Sequence, residues 1–416
     1  MKILWLCNRM LFKSEETGTG GWLGAMAESL LKYKNNFLEL ANITFGNVSH
    51  VTETNVGGIK QWIVPSGKAQ QHGDSLPYLS NIFRIIEQYT PDVIHVWGTE
   101  TFFGLITARG YVDIPSVLEM QGLVGAYAKV YHSDLTLQEQ IRCTGLKEIL
   151  KSSMIIQQAQ KYKKWGIIEK EIIRGHQFII TQSDWMQSQI KHLSSQNQCF
   201  QNARILRKPF YESTPWNPAL KRNIIFCSAA YPVPYKGLHV ALRSISILKK
   251  RVPDIQIRIA GVLQKKGIRM DGYMRWINHL IKKLNIEANV FWLGGLNADQ
   301  ISCEMLNASA MVLPSFIENC SNALQEAMLV GLPVVTSYAG GSPSLVKDEE
   351  SALFFSPGDE VMCASQLERL MTDSVMSVKL SKKARNTALK RNDPFEVVNR
   401  QFDIYKTVIE EFSTKK

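Results

Sequence analysis

The sequence has no pair of cysteines in C-x-x-C spacing. Its seven cysteines (Cys7, Cys143, Cys199, Cys227, Cys303, Cys320 and Cys363) are scattered and odd in number, which argues against a disulfide framework or a structural zinc site. A reducing cytoplasm is the expected compartment. No run approaches the roughly 18 consecutive apolar residues that cross a bilayer. Residues 1–10 (MKILWLCNRM) read as a first buried strand interrupted by Asn8 and Arg9, not as a signal peptide. There is no zinc-finger spacing, repeated basic-aromatic cluster or arginine-rich tail, so nucleic acid is not an expected partner. Neither a D-x-D triplet nor a His/carboxylate pair at ligand spacing occurs, and no metal or other cofactor is expected. Low-complexity segments are absent too.

What is present is ordinary globular material. At 416 residues, 45% apolar and 20% charged, the chain is too long for one common core, and two domains are expected. The net charge of +11 favours acidic partners such as a nucleotide diphosphate or an anionic membrane surface. Strand-like runs alternate with helical ones at 2–7, 21–33, 37–45, 59–64, 76–89, 92–97, 101–109 and 114–120. A long helical region follows over about 135–174, and 178–181 and 205–206 close the first half. Three prolines near 208–222 mark a boundary, after which the rhythm restarts. The expected division is 1–207, 208–393 and a C-terminal amphipathic helix over 394–416. Such alternation implies doubly wound α/β domains, with ligands beyond the carboxyl ends of parallel strands.

The most informative stretch is 308–346. An apolar strand (308–314) empties into a polar loop carrying Glu318 and Asn319. Ser321 is placed to cap a helix over 322–330, and Gly331 with Pro333 ends it. Glu318 and Glu326 lie eight residues apart, which as continuous helix would span about 12 Å. Two carboxylates so placed could grip an elongated polyhydroxylated ligand, and the N–H groups of a helix start between them suit a phosphate. Read without context, both are solvated charges.

The line PSFIENCSNALQEAMLVGLPVVTSYAGGSP resembles the signature of the retaining, nucleotide-sugar-dependent glycosyltransferases of family four, whose mark is a glutamate, seven residues and a second glutamate. The resemblance implies the GT-B architecture: two Rossmann-like domains facing a central cleft, with the last helix returning to the first domain. It also implies a nucleotide-sugar donor as co-substrate and a glycan, lipid-linked or small-molecule acceptor. Glu326 would hold the ribose and Glu318 the donor sugar, with the backbone around Asn319, Cys320, Ser321 and Asn322 on diphosphate or sugar. Lys236, which precedes Gly237 after a strand, matches the family's phosphate-binding lysine. Gly20 and Gly21 at a helix start, and Gly294 after the strand 290–293, would allow close approach of the donor.

The chain departs from this pattern twice. The family's arginine a few residues before Lys236 is replaced by Ala-Ala-Tyr (229–231), leaving Arg207 or Lys208 as substitutes. Its histidine-glycine pair is Gln121-Gly122 here. His95 reads as packed, and His132 and His176 stay unranked. Two other readings remain open: a nucleotide-sugar epimerase of the same architecture, and a silent nucleotide-sugar-binding subunit. The lysine-rich, apolar-interleaved region 147–174 is either a solvated helix face or a peripheral contact with an anionic membrane.

Overall fold

The apolar runs become strands because both their faces are covered. All five residues of Val93–Trp97 are buried, as in parallel sheets sandwiched by helices. The computed structural model describes residues 1–11, 21–34, 36–65, 76–220, 223–228, 233–261 and 270–414. Its first sheet contains β1 (Lys2–Leu6), β2 (Glu39–Gly46), β3 (Thr52–Val56), β4 (Ile59–Pro65), β5 (Val93–Trp97), β6 (Ser116–Glu119), β7 (Phe178–Thr181) and β8 (Gln198–Gln201). Their order is β3-β4-β2-β1-β5-β6-β7-β8. The second sheet contains β9 (Ile224–Ser228), β10 (Gln256–Ala260), β11 (Val290–Gly294), β12 (Ala310–Leu313), β13 (Val334–Ser337) and β14 (Leu353–Phe355). Its order is β11-β10-β9-β12-β13-β14.

Strand order reverses direction at β1/β5 in the first sheet and at β9/β12 in the second. Crevices form beyond the carboxyl ends of strands at such switch points. Gly21 follows β1 in the chain, Lys236 follows β9 and Glu318 follows β12. The architecture is therefore the expected one, two doubly wound α/β domains.

Four local expectations differ from the structure. The first sheet is not wholly parallel, because β3 pairs antiparallel with β4. Gly57 and Gly58, both at positive φ (61° and 80°), make the two-residue turn between them. The helical region 135–174 is three helices, Leu137–Arg142, Leu146–Leu150 and Ile155–Gly175. A capping box at Thr136/Glu139 starts the first, the Glu148 carboxylate accepts from the Gly145 N–H at 3.0 Å at the start of the second, and Ser152 at φ 48° separates the last two. Residues 205–206 are buried but not a strand; the polar edge strand β8 closes the sheet instead. The helix expected over 101–109 is only Phe103–Ala108.

The C-terminal helix Pro394–Ser413 packs on the first domain, its Val398, Phe402 and Tyr405 joining Ile3, Trp5 and Leu30 in one core. Its polar anchor is the fully buried Tyr405 hydroxyl, which accepts from Trp5 Nε1 at 3.1 Å and lies 2.7 Å from His95 Nδ1. Burial pushes the His95 imidazole below its usual range, so the Tyr405 hydroxyl shares its hydrogen bond with a neutral ring. His95 is the packed residue that the sequence indicated. Tyr405→Phe would orphan two buried groups at once. We expect it to lower unfolding free energy in urea by about 1–3 kcal/mol without changing the denaturant slope. An unchanged midpoint would show that the hydroxyl anchors nothing.

Candidate active site

The loop after β9 makes a 3-10 turn, Pro234–Lys236, and Gly237 then starts the Leu238–Leu248 helix at φ 71°. A side chain at 237 would meet the Pro314 carbonyl oxygen at 1.8 Å, so glycine is required for the two loops of the second sheet to touch. This contact brings Lys236 Nζ to 2.6 Å from Glu318 Oε1, and Ser315 Oγ donates to the same oxygen at 2.7 Å. No hydrogen bond reaches Glu318 Oε2 among the described residues. Gly340 and Gly341 lie against the backbone of Glu318 and Asn319, where an added carbon would meet carbonyl oxygens at 2.0 and 1.8 Å.

Ser321 caps the Asn322–Val330 helix, accepting from the Leu324 N–H. The helix begins only at Asn322, so the continuous eight-residue helical span between the two glutamates does not exist. Glu326 is also not a solvated residue; it is buried. Asn322 and Glu326, one turn apart, both face the segment that crosses between the domains. Arg204 Nη1 donates to Asn322 Oδ1 at 3.2 Å. Arg207 donates Nε and Nη2 to Glu326 Oε1 at 2.9 and 2.7 Å. Burial pushes the Glu326 carboxyl up, and Arg207 pulls it part of the way back. Again the protein cation sits on Oε1, and no hydrogen bond reaches Oε2 among the described residues. Gly21, the first residue of the Gly21–Lys34 helix, is close enough to Arg207 that an added carbon would lie 3.0 Å from its Cδ.

The remaining sequence candidates divide. The Asn319 side chain is occupied, because it bolts the second domain to the first. Its Nδ2 donates to the Gln121 carbonyl at 2.9 Å and to Gln182 Oε1 at 3.2 Å, and its Oδ1 accepts from Ser183 at 3.1 Å. The Cys320 side chain is in the second domain's core. Gly294, at φ 70°, ends β11 with open space around it. Gly20 and residues 229–231 lie outside the described residues. Lys208 pairs with Glu212 on the surface and is not near Glu326 or Glu318 in any contact. His176 is buried between the Thr107 hydroxyl and the Ile172 carbonyl, and the ring of the exposed His132 reaches the Ser133 carbonyl; neither ring contacts Glu318 or Glu326.

Two residues escaped the sequence reading. Glu100 follows β5, at the ligand end of a switch-point strand, which was its one legible signal. The residue as a whole is exposed, but protein packed around its carboxyl, with the Glu169 charge, pushes it up to about 7, against the pull of backbone N–H groups and of Arg204. Arg204 sits in the irregular crossing segment and had no signal at all.

Comparison with known proteins bears on this geometry. Residues 212–387 match the family described as glycosyl transferases group 1. An MMP alpha-(1->4)-mannosyltransferase of Mycolicibacterium hassiacum is 29% identical over 151 residues, 36% of this chain and 34% of that protein. The chain thus spans about a third of that relative's length. Sucrose-phosphate synthase from Thermosynechococcus elongatus shares the fold across 99% of both chains, with a TM-score of 0.73 and 16% identity. Anabaena HepE, solved with UDP-glucose, shares it across 100% of both, with a TM-score of 0.66 and 15% identity.

Glu100 yields a pH test. Ionising it is harder in the folded protein than in the unfolded chain, whose value is near 4.5. The stability it contributes is complete below about 4.5 and is lost as pH rises through about 7. The melting temperature of the wild type, taken relative to Glu100→Gln, should therefore fall across that window and level off above it. A constant difference would show that Glu100 titrates normally.

Proposed function

We propose, from the match of residues 212–387 to the glycosyl transferases group 1, that the chain transfers a sugar from a nucleoside-diphosphate sugar to a hydroxyl of a glycan, glycolipid or small-molecule acceptor. One observation carries the reading: each signature glutamate is held by a protein cation on one oxygen, and its other oxygen has no hydrogen bond among the described residues. An ionised carboxylate so fixed accepts hydroxyl hydrogen bonds without first breaking its protein contacts. Glu326, beside the crossing segment, takes the ribose. Glu318, beside Lys236, takes hydroxyls of the donor sugar.

Lys236 and the first-turn N–H groups of the Asn322–Val330 helix receive the diphosphate charge that grows as the leaving group departs. Transfer then needs no metal. The bond from the anomeric carbon to the phosphate oxygen breaks while the acceptor oxygen bonds to that carbon on the same face. The acceptor proton passes to the departing diphosphate, and configuration is retained. Asn319 and its first-domain partners keep the two switch points opposed, which aligns donor and acceptor.

A lipid-linked acceptor is favoured by one surface. Leu137, Ile141, Leu146, Ile149, Leu150 and Ile156 are exposed on three successive helices, Leu137 by 79% and Leu150 by 82%. The acidic residues of this region are turned inward, Glu139 to Arg243 and Glu148 to Arg275, each across the domain boundary. Arg142 and Lys151 stay outward. Apolar and cationic residues together suit the interface of an anionic bilayer. The contact thus centres on 137–156, N-terminal to the lysine-rich helix.

With donors screened by release of free nucleoside diphosphate, turnover should persist in excess chelator. Glu326→Ala should then weaken nucleotide-sugar and bare nucleotide alike, by about 1.5–3 kcal/mol. Glu318→Ala should spare bare nucleotide and cut transfer; equal loss of bare nucleotide in both variants would sink the division of roles. A donor that interconverts without releasing diphosphate would instead indicate an epimerase, and binding without turnover a silent subunit. Separately, the protein should sediment with vesicles containing phosphatidylglycerol and not with pure phosphatidylcholine, and Leu146→Glu with Leu150→Glu should abolish this. Sedimentation unaffected by the pair would remove the surface from the membrane.

A further inference from the structure

Among the described residues, Arg204 is a cleft guanidinium whose donors are largely unused. It is only 7% exposed, yet its Nε and Nη2 have no hydrogen-bond partner among the described residues. Its Nη1 reaches Asn322, and its guanidinium lies 4.5 Å over the Trp22 ring. A guanidinium cannot relieve burial by losing its proton. Buried charged donors without acceptors are costly, so a working state that fills them is strongly favoured.

The surroundings identify what fills them. Asn322 opens the nine-residue helix Asn322–Val330, and Trp22 is the second residue of the Gly21–Lys34 helix. Two helices from two domains thus begin beside Arg204, and both present unbonded N–H groups and the positive end of a dipole. The free edge of Arg204, Nε with Nη2, is the fork that binds two phosphate oxygens in parallel. Arg207 has its Nε–Nη2 fork on Glu326 Oε1, and Lys208 pairs with Glu212 at the surface. Asn392 fixes the Arg204 backbone by donating to its carbonyl at 2.8 Å.

We propose that Arg204, supplied by the first domain, binds the diphosphate of the nucleotide-sugar donor and takes the place of the arginine absent from 229–231. The assignment rests on the glycosyltransferase reading above. It also makes donor binding bridge the two domains, with Lys236 on the second-domain side of the phosphates and Arg204 on the first.

Calorimetric titration of the full chain with UDP, GDP, ADP, their nucleosides and inorganic pyrophosphate tests it, comparing wild type with Arg204→Met and Arg204→Lys. The methionine variant should bind the accepted nucleoside diphosphate at least about tenfold more weakly and its nucleoside unchanged. Lysine, which keeps the charge and loses the fork, should recover part of the affinity. Each variant is titrated where it is folded without ligand, because the methionine also loses the Asn322 hydrogen bond and the Trp22 contact. Equal nucleoside diphosphate affinity in all three proteins overturns the assignment. Should wild type bind pyrophosphate through Arg204 but none of the nucleoside diphosphates, the donor reading fails and the phosphate site stands. Wild type binding none of these anions overturns both.

Discussion

The candidate site depends on how charge is kept inside a cleft. Glu326 is buried, and Arg207 is the contact that makes its ionised form tolerable there. Breaking such a buried pair by removing one partner costs about 3–5 kcal/mol, because the other charge is left stranded. The pair also joins the segment that leaves the first domain to the signature helix of the second. Its position therefore fixes where the chain crosses, and with it where Arg204 and Gly21 lie relative to Asn322. Lys236 with Glu318 repeats the arrangement on the other side of the helix start. Each carboxylate is thereby oriented before any ligand arrives, which lowers the ordering cost of binding.

A second constraint is the polar network between the domains. Asn319 reaches the Gln121 carbonyl, Gln182 and Ser183, while Gln182 Nε2 donates to Glu119 at 2.8 Å. Glu119 lies 3.4 Å from His95, which is bonded through Tyr405 to the C-terminal helix. The loop bearing Glu318 is thus connected, through side chains in contact, to the helix that returns from the second domain. Farther out, Tyr127 stacks on Tyr235 at 5.3 Å, and Asp134 meets His239 and Arg243. These contacts hold the Lys236 loop against the first domain. A site made from two domains needs such a frame, since an ångström of misplacement is expensive in a reaction that depends on alignment.

Much of the fold was legible in the sequence. Strands buried on both faces are near-continuous apolar runs, and the alternation of such runs with helical ones specifies a doubly wound sheet wherever it occurs. The Ser321 cap, the Gly331 stop at φ 82° and the need for glycine at 237 are local requirements of backbone geometry, and local sequence expresses them. The antiparallel hairpin of β3 and β4 had its Gly57-Gly58 signal too, but four polar residues in TETNV hid the strand. The breaks within 135–174 were masked because the amphipathic spacing continues across them.

What the sequence alone determined, then, was the set of elements and the two glutamates, since hydrophobic period, capping and turn chemistry act between residues close in the chain. Tertiary structure decided which cation serves which carboxylate. Lys236 and Glu318 are 82 positions apart, and Arg207 and Glu326 are 119 apart. No periodicity spans such distances. Only the packing of two sheets against one crossing segment showed that Asn319 is a bolt, that Glu326 is buried, and that Arg204 is left with donors to fill. The physical reason is that burial and desolvation, which set the cost of every one of these charges, are properties of the assembled cleft and of no single stretch of chain.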